Sequence, residues 1–179
     1  LGQARLRAFR EIAKLDTDLI SLSVTEGLRA LMARLPDGED KSVALLQIAA
    51  PAAFVPALIR ARAGQEPIPP DAGRSHAADM LAMLTGSEPG EAHVRALDTY
   101  LVTVSDHGLN ASTFTARVIA STLSDLYSAV VGAVGALKGP LHGGANEAVL
   151  HVFDEIGTAE NVGPWLDDAL AAKRKIMGF

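Results

Sequence analysis

Lys138-Gly139-Pro140-Leu141-His142-Gly143-Gly144-Ala145-Asn146-Glu147 separates two stretches of helical pattern. An almost wholly apolar segment runs into it, and an amphipathic pattern runs out of it. Gly139-Pro140 stops a helix, because proline lacks an amide donor, clashes with the preceding turn and restricts the residue before it. Gly143-Gly144 opens backbone conformations closed to other residues and permits close approach to a neighbour. His142 is therefore predicted on a shaped turn near the start of the next helix. That placement suits a catalytic side chain.

Working outward, helical periodicity continues in both directions. Gln3 to Lys14 predicts a helix with Leu6, Phe9, Ile12 and Ala13 on one side. Thr25 to Leu35 predicts another, with Thr25 as N-cap and Pro36-Asp37-Gly38 as the stop. Asp40 to Ala63 follows, with a kink or break expected at Pro51 and Pro56. Pro67, Pro69 and Pro70 mark a loop. Ser75 to Leu84 and Glu91 to Val104 are two further helices. Ser112 is read as the cap of one long helix to Leu137, and Ala145 to Ile156 and Gly163 to Met177 complete the series. No alternating pattern bounded by turns persists, so the predicted class is all-α. A boundary at His142 would divide a larger helical portion, 1–141, from the first helices of a smaller one, 142–179.

The 179 residues are 49% hydrophobic but only 4% aromatic, which suits a close-packed core of Ala, Leu, Val and Ile. A net charge of −5 offers no basic excess, so neither nucleic acid nor an anionic membrane is an expected partner. There is no cysteine, which removes disulfides, thiol catalysis and cysteine-ligated metals, and a cytoplasmic location is expected. Leu1 to Lys14 has no hydrophobic run, so no signal peptide is read there. The most apolar segment, Val118 to Leu137, contains Asp125 and is read as a buried helix rather than a membrane span.

None of the five histidines, His76, His93, His107, His142 and His151, falls in a metal-ligand pattern. No phosphate loop or nucleophile elbow is present. Gly132-Ala-Val-Gly135 lies inside an apolar helix, where small residues permit close packing. His107 and His142 each interrupt long helices. Both could be capping residues, or they could converge on one site. A connecting helix of about 25 residues would be about 35–40 Å long, so convergence needs a break in that helix or a second subunit.

Gly139-Pro-Leu-His-Gly-Gly-Ala-Asn146, preceded by Asp106-His-Gly-Leu-Asn-Ala-Ser-Thr-Phe114, resembles the citrate synthase family. The likeness extends through Ala120-Ser-Thr-Leu-Ser-Asp-Leu-Tyr127 into Lys175-Ile-Met-Gly-Phe179, and is dense from about Pro67 onward. It implies an all-α fold with a large and a smaller mobile domain, a homodimer, and no permanently bound cofactor. The implied reaction condenses acetyl-coenzyme A, as substrate, with oxaloacetate to give citrate and coenzyme A. Propionyl-coenzyme A takes the place of the acetyl donor in 2-methylcitrate synthases, and a non-catalytic helical relative acting by binding or dimerisation is a third reading. By motif, His142 resembles the histidine that polarises the acetyl carbonyl, and His107 one that helps to hold oxaloacetate. Asn110 and Ser112 share the His107 motif and are expected to support it. A donor fixed where enolate charge develops lowers the barrier by electrostatic preorganisation.

The family's aspartate base and second histidine match no position here, and Asp154, Asp167 and Asp168 lack the aspartate's context. These residues are therefore expected to be a portion of a longer enzyme, inactive alone.

Overall fold

A computed structural model describes residues 1–38, 40–106 and 108–176, with only the backbone of Ala13, Lys14, Asn146 and Glu147. The contacts divide the chain into two units, 1–134 and 135–179, described separately below. The division falls between Val134 and Gly135, whereas the sequence reading places a boundary at His142. All regular structure among the described residues is helical.

Unit 1 begins with α1 (Gly2–Phe9), a tighter 3-10 turn over Arg10–Lys14, α2 (Thr17–Ser21) and α3 (Val24–Met32). Then come α4 (Lys41–Arg62), α5 (His76–Thr85), α6 (Glu91–Thr103), α7 (Ala111–Ala120) and the first turns of α8 (Leu126–Leu137). Side chains close the orphan amides at several starts. Asp16 accepts from Leu19 N at 2.8 Å, Asp40 from Val43 N at 3.0 Å and Ser75 from Ala78 N at 3.2 Å. The cap of α3 is Ser23, not Thr25. Ser23 and Glu26 exchange side-chain-to-backbone bonds in a capping box, which draws Thr25 into the first turn.

α4 is the centre of unit 1, and α1, α3 and α5 pack around it. Leu46, Ala50, Ala53, Phe54 and Leu58 on α4 are almost completely buried, and they meet Ala8, Ile12, Leu31 and Met32. A helix apolar on all sides needs this enclosure, and its alanines let neighbouring backbones come close. α4 is long and apolar enough to cross a bilayer, but it is the core helix of this unit. Of the kink or break expected at its prolines, a break does not occur: the helix assignment runs uninterrupted past Pro51 and Pro56. Both sit in the helix interior, where each removes one amide donor; the surrounding apolar contacts outweigh that loss.

The expected single helix from Ser112 to Leu137 is also corrected. It ends at Ala120 and restarts at Leu126. Ser121 and Thr122 hydroxyls donate to the Val118 and Ile119 carbonyls, and Leu123 takes a left-handed φ of 61°. Asp125 then accepts from Ser128 N at 2.7 Å and Ser128 Oγ at 2.6 Å, closing the start of α8. Nor is the segment buried. α7 has no buried residue, and α8 has Tyr127 and Ala129. The close packing expected at Gly132 is present, since a Cβ there would collide with Ile119 Cδ1 of α7; Gly135 has open space.

Arg5 ties α1 to α5 from a fully buried position. Its Nε donates to Asp79 Oδ2 at 2.6 Å, and its Nη2 donates to Arg74 O at 3.0 Å. Asp79 Oδ1 in turn accepts from Asp71 N at 2.9 Å. The fit is close enough that a Cβ on Gly2 would collide with Ala72 O. By contrast, Tyr100, Val102, Val104, Leu109, Phe114, Val118 and Leu123 are exposed along the end of α6 and across α7.

Unit 2 holds the end of α8, then α9 (Gly143–Ile156), a 3-10 turn over Ala159–Asn161 and α10 (Val162–Ala171). α10 stops short of the expected Met177, which lies outside the described residues. Glu155 Oε2 joins the last turns of α9 to α10 by accepting from Trp165 Nε1 at 2.9 Å and Arg174 Nη2 at 2.8 Å. Arg174 also stacks 5.3 Å above the Trp165 ring.

Removing one partner of a buried ion pair strands the other charge. Asp79→Ala is therefore expected to destabilise the fold by about 3–5 kcal/mol. Urea unfolding measures this, and a loss typical of an exposed pair would contradict the structural weight given to Arg5.

Candidate functional site

The turn around His142 is built from backbone bonds. Gly139 N donates to Ala136 O at 3.1 Å as α8 ends. Gly139 O then accepts from both His142 N at 2.9 Å and Gly144 N at 3.2 Å, while His142 O accepts from Ala145 N at 3.0 Å. His142 is the N-cap residue of α9 and is half-buried. Its backbone is thus fixed on both sides, and the residue stands at the helix start, where α9's first amide groups concentrate positive potential. A developing oxyanion is the species that such a position favours.

The two glycines that follow differ in role. A Cβ on Gly143 would collide with Leu137 O and come 3.0 Å from Leu137 Cγ. On Gly144 it would stand 3.4 Å from Gly139 O. Gly143 is therefore what lets α9 start directly against the end of α8. The sequence indicated this through the Gly-Gly pair, though not which glycine carries the contact.

Asn110 and Ser112 are brought together in unit 1. Asn110 caps α7, its Oδ1 accepting from Thr113 N at 2.9 Å and Ser112 Oγ at 2.7 Å. The expected cap, Ser112, instead donates to the residue that caps. Gly108, with φ of 64°, supplies the sharp turn before them, and its amide donates to Asp106 Oδ1 at 3.1 Å. His107 lies outside the described residues.

Neither of two open grooves, each of about 300 Å³, includes His142, Asn110 or Ser112. One is lined by Asp71, Arg74, Asp79, Met83 and Glu88, the other by Leu35, Asp37, Asp125, Tyr127 and Val131. Among the described residues no cluster of three His, Asp or Glu could hold a metal ion. The Arg5–His76–Asp79 cluster was not legible in the sequence, because Arg5 lies some seventy residues from the other two and shares no motif with them.

Gly143→Ala is expected to unseat the first turn of α9, seen as faster amide exchange from residue 145 through the following turn. Gly135→Ala, where a Cβ meets nothing within 4 Å, should leave that exchange unchanged. Equal behaviour of the two variants would contradict the contact.

Comparison with known proteins agrees with these motifs. A family model described as "Citrate synthase, C-terminal domain" matches residues 5–179. A citrate synthase of Deinococcus radiodurans is 47% identical over 149 residues, covering 80% of this chain and 40% of that protein. A 2-methylcitrate synthase of Mycobacterium tuberculosis is 43% identical over 173 residues, covering 94% of this chain and 44% of that protein. Among solved structures, the citrate synthase of the archaeon Thermoplasma acidophilum, in ternary complex with carboxymethyl coenzyme A and oxaloacetate, superposes with a TM-score of 0.74. That pair is 26% identical and covers 98% of this chain and 51% of the other. The chain thus spans less than half the length of the two sequence relatives, and within that span it belongs to the citrate synthase family.

Proposed function

We propose that this chain is part of a citrate synthase that condenses acetyl-coenzyme A with oxaloacetate, releasing citrate and coenzyme A. The observation that carries the reading is the fixed turn that sets His142 at the head of α9, within the span matched to the family. In the proposed reaction, the family's aspartate base, which matches no position among these residues, takes a methyl proton from the thioester and leaves an enolate. His142 donates a hydrogen bond to its oxygen as the negative charge grows. The enolate carbon then forms a bond to the keto carbon of oxaloacetate, whose C=O π bond opens and whose oxygen takes up a proton, and water cleaves the thioester to release the coenzyme A thiol. The acyl group thus becomes an alkyl group on transfer, as an acyltransferase of this type requires. The path is that of the tricarboxylic acid cycle's entry step.

Because the donor is fixed before the charge appears, little reorganisation is needed at the moment of reaction. His107 is assigned to oxaloacetate. Asn110 and Ser112 would support it from the start of α7, where their side chains hydrogen-bond to each other and Asn110 caps the helix. No permanently bound cofactor is needed for this chemistry.

A second reading is 2-methylcitrate synthase, with propionyl-coenzyme A as donor; the 43% identity to such an enzyme over 94% of the chain favours it. One assay of the full-length enzyme addresses both. Coenzyme A release should be faster with the acetyl than with the propionyl donor, and the reverse order would select the second reading. His142→Ala should lower kcat by about 10²–10³-fold with either donor, the loss typical of an oxyanion donor. An unimpaired variant would overturn the assignment.

A homodimer is also proposed. It is supported by the exposed Phe114 and Val118 on α7, together with Leu109 and Leu123 at its two ends. Light scattering on the full-length protein should give twice the chain mass, and Phe114→Glu should lower it. A monomer at micromolar concentration would contradict this.

A further inference from the structure

Arg5, His76 and Asp79 are used by none of the steps above, yet Arg5 and Asp79 are the most deeply buried charged side chains among the described residues. Arg5 sits on α1. It reaches the first residue of α5 through Nη1, which stands 3.1 Å from His76 Nδ1. A guanidinium has only donors, so His76 Nδ1 must be the acceptor, with the ring proton on Nε2. An imidazolium would set N–H against N–H and place a second positive charge beside Arg5. The same Arg5 holds the loop before α5, donating to Asp71 O at 3.3 Å and Arg74 O at 3.0 Å.

We propose that His76 is an acid-sensitive pin: protonation of its Nδ1 breaks the Arg5 contact and loosens α1 from the start of α5 and the 71–74 loop. The groups that face His76 come from each element around it. Arg5 opposes the imidazolium from the α1 side, and Asp79 on its own helix and Asp98 on α6 favour it. Arg74, in the adjoining loop, is engaged by Glu88 at 2.6 Å and Asp71 at 3.4 Å. Burial, followed by the Arg5 charge, holds the imidazole below the ordinary histidine range.

The sign follows from proton linkage. With the folded-state value depressed, the unfolded chain binds more protons as pH falls below about 6.5, the ordinary histidine value. Stability from this group is complete above that point and declines as pH drops toward the folded-state value. A histidine that gained an acidic partner would do the opposite.

The test compares the full-length protein with His76→Asn, whose Oδ1 can accept from Arg5 but cannot titrate. Between about pH 7.5 and about pH 5.5, the window of histidine charge change, the urea midpoint of the parent should shift downward by more than that of the variant. The difference isolates His76 from the protein's other histidines. The His76 ring signal should titrate below 6.5 by NMR. Equal shifts in the two proteins, or titration at or above that value, would overturn the proposal. Should His76→Asn fail to fold, the parent alone decides. Amide exchange in α1, corrected for its intrinsic pH dependence, should quicken as His76 titrates, and exchange that ignores the titration would overturn the pin.

Discussion

The enclosure of α4 is the constraint on which unit 1 depends. Twenty-two residues, apolar on every side and carrying two internal prolines, cannot form a stable helix against water. Packed by α1, α3 and α5, the same residues become the centre of the core. The alanines at positions 49, 50, 52, 53 and 57 keep the helix thin, so its neighbours bury Leu46, Phe54 and Leu58 completely. This also explains how a core with few aromatic residues reaches full burial. Area is supplied by many small contacts rather than by a few large rings.

Specificity in the packing comes from polar groups placed where apolar contacts alone would leave register undefined. Arg5 meets a carboxylate, an imidazole and two carbonyls, and thereby fixes where α1 lies along α5 and the 71–74 loop. The Glu155–Trp165–Arg174 cluster joins α9 to α10, but its carboxylate and guanidinium are about half exposed, so its energetic weight is smaller. The turn at His142 relies on neither device. Its geometry comes from three carbonyls, Ala136, Gly139 and His142, and from the absence of a Cβ on Gly143.

Local signals made much of this legible in the sequence. Ser75, Asp40 and the Gly139-Pro140 and Gly157 interruptions sit where the structure caps or ends helices, because each acts through its own backbone neighbourhood. Two readings depart from the structure, each for its own reason. Pro51 and Pro56 mark a break by local rules, and Val118–Leu137 has the composition of one continuous helix. Tertiary burial overrides the first. In the second, Ser121, Thr122 and Asp125 interrupt an apolar run, and together they form the end of one helix and the cap of the next. Asn110 was passed over as a cap for Ser112, its hydrogen-bonded neighbour. Arg5 and His76 meet across seventy-one positions, and no periodicity connects them.

The role proposed for His142 reduces to one atom-level claim, that its imidazole stands where enolate charge would form. A crystal structure of the full-length protein with oxaloacetate and carboxymethyl coenzyme A tests it directly, because the ligand's carboxylate stands in for the enolate oxygen. The His142 imidazole should lie within hydrogen-bond reach, about 2.6–3.2 Å, of that carboxylate. A carboxylate held by other side chains, with His142 turned away from it, would contradict the claim.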